Sequence, residues 1–517
     1  MSYLKTLSAS GLAVFCMVVL ATSANHASAQ HWMASPTLEY STFLDGNGGE
    51  LIRDIVSDAN GNIYVTGGTY SSDFPTTPGA YQKTLNPGTT PAGTNLGSFP
   101  DMDVFVTKFD RQGQIIWSTL LGGPEYDRAY GIELDNAGNV YVGGRAGPGF
   151  PTTSGAIQPN FIHDTIAPSN GYGDQDAFVA RISADGSSLH WSTYIGSPSP
   201  TLMRDLRVDA DTGIVHAGVN RVAGSFQHLT NDALQSTFGD NNDAAYLKLS
   251  AKDGNLLYGT LIGGKGDDYR PSLVTDGNGG AYVMVQSSST DLPAPQGGFE
   301  QGPNGGSDFV VYHFDSNNKV LRGTHFGGSG NELTETHGLA LDKDGNLFLA
   351  GGTGSIDLPM TAGTFQSTRS GLNDGFIAKL SGDLSQVLAA TYIGGSDGDG
   401  NEGIVIAPDG SIFVAGVAKS PDLPTTDDAL ITSNPGGDRN GALKRFSNDL
   451  AQLLYLSYIG GSGDGDDARI SHVTEDFDVY VGGIARSSDF PTLKAIDSTQ
   501  TGAYSAYLMK FETGPGR

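Results

Sequence analysis

The sequence predicts an all-β fold, a seven-bladed β-propeller with four antiparallel strands per blade, on three observations. A short apolar phrase recurs seven times at nearly constant spacing, four strand-like phrases follow in the same order within each interval, and the chain opens with the phrase that its last interval lacks. The recurring phrase reads YSTFL, WSTLLGG, WSTYIGS, YGTLIGG, RGTHFGG, AATYIGG and YLSYIGG, with hydroxyls at Thr42, Thr119, Thr193, Thr260, Thr324, Thr391 and Ser457. The resulting spacings of 77, 74, 67, 64, 67 and 66 residues are too long for a hairpin and suit a four-stranded blade.

Within each unit the strands can be lettered A to D. Strand A shows apolar alternation ending in an acidic turn, as in Gly131-Ile132-Glu133-Leu134-Asp135. A turn such as DNAGN or DKDGN, with glycine where a hairpin needs positive φ, leads into strand B, VYVGG (140 to 144) or LFLAGG (347 to 352). Strand C reads DVFVTKFD (103 to 110) and its copies, and strand D is the recurring phrase. Period-two alternation throughout means half-buried antiparallel strands. The first D phrase spans Leu38 to Leu44, while the last unit stops at its C phrase near Phe511. The N-terminal strand therefore completes the last blade and closes the ring without an open seam. The propeller is placed at 38–512, with a lead-in at 30–37 and a tail at 513–517.

Composition agrees. The 517 residues include 74 Gly and 24 Pro, which argues against a helical bundle, and the 38 % of hydrophobic residues suffices for a large core. A count of 29 Lys plus Arg against 56 Asp plus Glu gives a net charge of -27, which repels nucleic acid and anionic membranes. Residues 1–29 read as a signal peptide: Lys5, an apolar run from Gly11 to Ala21, then Ala27-Ser28-Ala29. The expected location is secreted, extracellular or cell-surface, with the periplasm as the alternative and no membrane insertion after cleavage. Cys16, the sole cysteine, lies in that segment, so the mature chain has no disulfide and no thiol nucleophile. A monomer is expected.

The combination of GIxxDxxGNxYVxG, SxDFPTTxGAxQ and DxFVxKxxxxGxxxxSTYIGG resembles the SBBP repeat, the seven-bladed β-propeller repeat of bacterial exported and surface proteins. The resemblance runs from Leu38 to Glu512 and weakens at SFQHLTNDALQ (225 to 235) in blade 3 and at ALKRF in blade 6. It implies an architecture and an exported location, and little about chemistry. It also implies that strand A is innermost and that the D-to-A and B-to-C connections lie on one face around a central channel. Insertions at Asn86 to Met102 and Pro159 to Gln175 would raise a lip there.

Five arginines, Arg53, Arg128, Arg204, Arg270 and Arg469, stand at or just before the start of strand A, with His337 and Glu402 near that place in blades 5 and 6. On the innermost strands they would ring the channel mouth and take an anionic ligand through the guanidinium fork. The competing reading pairs them with acids just upstream, such as Asp127, Asp267, Asp268, Asp466 and Asp467. Two acidic D-to-A loops, with Asp397 and Asp399 in one and Asp464 and Asp466 in the other, offer carboxylates that could hold calcium, although the spacing is not that of an EF-hand; the competing reading is solvated turns whose Asp side chains bond the local backbone. Gly394 to Gly398 fits GxSxG but lies between strands, without the strand-to-helix elbow the motif needs. Lone histidines such as His216 and His472 read as structural. No catalytic set is legible. The leading expectation is a binding module for an anionic glycan or a surface protein. The alternatives are an extracellular polysaccharide lyase or hydrolase and a structural surface-layer component.

Overall fold

The computed structural model describes residues 34–86, 101–162, 173–293 and 297–513. The signal-peptide segment 1–29, most of both insertions and the tail beyond residue 513 lie outside the described residues.

Those residues form seven antiparallel sheets, each paired in the order A-B-C-D, and the sheets follow one another around a ring. The innermost strands are Glu50–Ser57, Arg128–Leu134, Leu202–Asp209, Asp268–Thr275, the broken pair Glu332–Leu333 and Leu339–Leu341, Asp399–Ile406, and Asp467–Val473. In the seventh blade the outermost place is taken by Thr37–Leu44, which pairs with Ser505–Glu512 so that Phe43 faces Tyr507 and Leu44 faces Ala506. The N-terminal strand thus closes the ring, as the order of phrases predicts.

Alternating side chains of each sheet fill the wedge between neighbouring blades. Val104, Val106 and Trp117 of blade 1 pack with Val140, Val142, Phe178 and Ile182 of blade 2. Trp117 also donates from its indole Nε1 to the carbonyl of Ala184 in the next blade, at 3.1 Å, and Trp191 does the same to Ala251. At the seam, Phe43 packs on Phe490 with ring centroids 5.9 Å apart.

The DFPTTxGAxQ phrase has a task that its place in a B-to-C connection did not suggest. It runs outward and covers the exposed edge of strand D: Thr77 N–H donates to Ser118 O and Leu120 N–H to Gln82 O, both at 3.0 Å. This occupies backbone groups that would otherwise template edge-to-edge association. The phrase's terminal glutamine then clamps strand C. Gln158 donates to Asp176 at 3.2 Å and accepts from Gly196 N–H at 2.8 Å, and Gln235 and Gln366 repeat the pattern on Asp243 and Asp374. Blade 6 loses both partners together, with Ile431 for the glutamine and Asn440 for the aspartate. Its departure at ALKRF is therefore a coupled change on an intact strand, Asn440–Phe446.

Two predictions follow from this packing. Phe43→Ala removes a buried ring from the closing strand and is expected to cost about 3–5 kcal/mol, read as a lowered urea midpoint. The second concerns pH. Burial raises Asp103, Asp176 and Asp243 to about 7 and Glu50 to about 8. Carboxylates of an unfolded chain ionise near 4, so the folded state retains protons that the unfolded state has lost. Stability from these groups is complete below the unfolded pKa and declines as pH rises to 8. Melting temperature should fall from pH 5 to pH 8, and a flat or rising profile would contradict this.

Candidate ligand site at the channel mouth

Six of the seven innermost strands have a β-bulge near their start. Register is lost at Arg53 between Ile52 and Asp54, at Tyr130 between Ala129 and Gly131, and at Arg204 between Met203 and Asp205. The same happens at Glu402 and Arg469, and in blade 4 across Arg270 and Pro271, where proline has no N–H for the ladder. A bulge leaves its extra residue unpaired and re-aims the side chain. Here those side chains meet. The guanidiniums of Arg53 and Arg204 lie 4.5 and 5.3 Å from the Tyr130 ring centroid, and Arg469 donates to Glu402 at 3.1 Å.

Blade 5 differs. Its strand A is interrupted from 334 to 338, and this segment carries Glu335 and His337 inward. Glu335 accepts from Arg204 at 3.0 Å and lies 3.7 Å from Arg270 and 3.9 Å from Arg53. Against the cost of burial, the guanidiniums of Arg204, Arg53 and Arg270 hold its carboxyl well below the usual range.

Above this ring opens a cavity of about 940 Å³. Nine arginines line it: Arg53, Arg128, Arg145, Arg204, Arg221, Arg270, Arg439, Arg469 and Arg486. Asp267 and Glu335 are the acids among the described lining residues. One side is apolar, where Leu51, Met102, Tyr126 and Ile484 pack together with Tyr70 and Tyr504 against them. Burial and repulsion from Arg128 and Arg469 bring Arg53 down to about 10, despite attraction from Tyr130 and Glu335. Tyr130 is 1 % exposed and accepts from Arg128 and Arg145 through its hydroxyl oxygen. Burial opposes its ionisation, but Arg128, Arg145, Arg53 and Arg204 outweigh burial and hold its phenol well below the ordinary value.

All five arginines read from the sequence reach this mouth, while His337 lies beneath it. His337 is 2 % exposed, with Nδ1 3.0 Å from Asp205 and Nε2 3.3 Å from Asp54, and those two carboxylates raise its pKa against the effect of burial. The upstream acids mostly do not pair with the arginines. Asp127, Asp268 and Asp466 instead accept backbone N–H groups of Gly123, Gly264 and Gly461 at 2.6 to 2.8 Å, tying the D-to-A loops down. Asp467 is the exception, at 2.6 Å from Arg469.

The residues read as calcium ligands fall in the same loops. Asp399 accepts from Gly395 N–H at 2.8 Å and Ser420 Oγ at 2.6 Å, so it serves as a loop clamp like Asp466. Asp464 accepts from Asp438 N–H, and Asp397 from Gly398 N–H. Among the described residues, no three His, Cys, Asp or Glu side chains converge as a metal site requires. His216 is buried and His472 half-buried, and both are structural residues. Burial lowers them to about 3 and about 4, and their partners are the Tyr246 and Ser57 hydroxyls.

Sequence reasoning missed Glu335, Tyr130 and the arginines contributed from outside strand A. The signal for Tyr130 was present: counting five residues back from the acidic turn at Asp58, Asp135 and Asp209 gives Arg53, Tyr130 and Arg204. Arg128, two residues earlier, stands at the wrong register for the ring.

The SBBP beta-propeller repeat family matches residues 116–151, from strand D of blade 1 through strand B of blade 2 and into the FPTT phrase. Residues 116–151 carry the SBBP repeat. Over 318 residues the chain is 25 % identical to "Regulatory protein FlaEY" of Caulobacter vibrioides, a match that takes in 59 % of this chain and 30 % of that one. The chain thus spans under a third of that relative's length. Among solved structures, it is similar to a fungal alcohol oxidase of the AA5 family in complex with copper (TM-score 0.46, 11 % identity, 94 % of this chain and 79 % of that one). A protein of unknown function from Dyadobacter fermentans gives a TM-score of 0.42 at 11 % identity, with 92 % of this chain and 99 % of that one covered. BamB from Moraxella catarrhalis gives 0.35 at 10 %, covering 92 % and 100 %.

The arginine cage around Tyr130 is testable by spectroscopic titration. The tyrosine that ionises at the lowest pH should disappear from the near-ultraviolet phenolate titration in Tyr130→Phe, and an unchanged titration would contradict the assignment.

Proposed function

We propose that this SBBP propeller is an exported binding module whose channel mouth takes a carboxylated glycan. The observation that carries this reading is charge placement. Nine guanidiniums face two carboxylates around one cavity, in a chain whose net charge is -27. Guanidinium forks match planar carboxylates through paired, charge-assisted hydrogen bonds. The cavity volume of about 940 Å³ falls within the range of small-ligand sites. The apolar side, with Tyr70, Tyr126 and Tyr504 in the lining, supplies surface against which the C–H faces of sugar rings pack.

Catalysis is the weaker reading. Tyr130, the side chain best suited to act as a base, is buried under arginines that already use its oxygen. Export rests on the signal-peptide reading of residues 1–29.

Arg204→Ala combined with Arg270→Ala is expected to weaken binding of polygalacturonate by at least about tenfold, as loss of buried charged contacts does elsewhere. Isothermal titration calorimetry at two salt concentrations measures this. Unchanged affinity in the double variant would sink the proposal.

A further inference from the structure

The segment that interrupts strand A of blade 5 brings a carboxylate of the chain itself into the arginine cluster. It is anchored from below. His337 adopts a left-handed backbone conformation, φ 52°, and its ring is held between Asp205 and Asp54, while Gly338 N–H donates to Ser272 Oγ at 2.9 Å. A non-glycine residue in that region is retained only where its surroundings fix it. The anchor leaves the Glu335 side chain pointing up, 31 % exposed to the mouth.

Glu335 does not saturate the arginines it touches. One contact is a hydrogen bond of 3.0 Å and the other two are looser, at 3.7 and 3.9 Å. Two carboxylate oxygens cannot satisfy three guanidiniums, each with five N–H donors. The Arg270 side chain keeps 27 % exposure in the cavity lining, so it has donors open to a ligand. The cluster therefore holds one anion in place and retains capacity for another.

We propose that Glu335 is a resident competitor, whose carboxylate fills a subsite that a ligand carboxylate would otherwise take and so restricts the mouth to anions bringing several charges at once. This rests on the reading of the mouth as a carboxylated-glycan site and adds a rule of valency to it. A single uronate must displace Glu335 for the strongest contacts. An oligouronate places one carboxylate beside Glu335 and others on the outer arginines, such as Arg221 and Arg486, so several weak contacts act together.

Calorimetric titration of the full chain with galacturonic acid and with trigalacturonate tests this in wild type, Glu335→Gln and Glu335→Asp. Wild type should bind the trimer and not the monomer. Glu335→Gln should bind the trimer about tenfold more tightly and should acquire measurable monomer binding. Glu335→Asp withdraws the carboxylate by one methylene and should fall between the two. It also carries the test if the glutamine variant does not fold. Trimer affinity that is unchanged or weaker in the folded variants, with wild type binding, overturns the competitor role and leaves the binding site standing. Failure of every form to bind the trimer overturns both.

Discussion

Seven strands must approach one axis, and that convergence governs what their side chains can be. At the same depth the inner strands present Arg53, Tyr130, Arg204, Arg270, Glu402 and Arg469, with Glu335 supplied by blade 5. A ring of seven like charges at that spacing would be untenable away from water. The ring resolves it by interruption. A phenol sits between Arg53 and Arg204, and two carboxylates separate Arg270 from Arg469. The bulges are part of the same solution, since each frees one residue from the ladder to turn toward the axis without breaking the blade.

The geometry of the mouth is held from outside the ring as well. Glu50, Asp127, Asp268, Glu332, Asp399 and Asp466 each accept a backbone N–H from the glycine-rich D-to-A loop. Most also accept from a serine of the B-to-C connection, as Ser289, Ser355 and Ser420 show. One buried carboxylate therefore joins the two loops that border the mouth in each of these blades. Loops fixed this way present arginines whose positions are set before any ligand arrives, which lowers the ordering cost of binding.

The architecture was legible because each of its signals is local and repeated: period-two strands, turn glycines and a fixed order of phrases. Even the displaced strand at Leu38 to Leu44 could be read, because an order can be incomplete at only two places. The role of DFPTTxGAxQ was not legible, since covering a neighbouring strand edge leaves no periodicity in the phrase itself. The site was half legible. Arginine at the start of strand A could be seen in several blades, but the bulge that selects which residue faces the axis depends on pairing with strand B. Without that pairing, the position of arginine in the sequence points to Arg128 where Tyr130 stands. Glu335 was hidden for a different reason. It belongs to a segment that leaves the repeat, so comparison between blades passes over it.

An acidic chain with a cationic mouth sets two electrostatic ranges against each other. The net charge of -27 acts on a distant anion as a whole. The Debye length is about 8 Å at physiological ionic strength, so most of that repulsion is screened before a ligand reaches the rim. Inside the cavity the distances shrink to those of Glu335 and its arginines, 3.0 to 3.9 Å, where salt screens partly buried charges far less. Local arrangement therefore decides the sign of the interaction. An anion is repelled by the blades and attracted by the axis, and the acids on the periphery sharpen the contrast by leaving the channel mouth as the place where a carboxylate gains by leaving water.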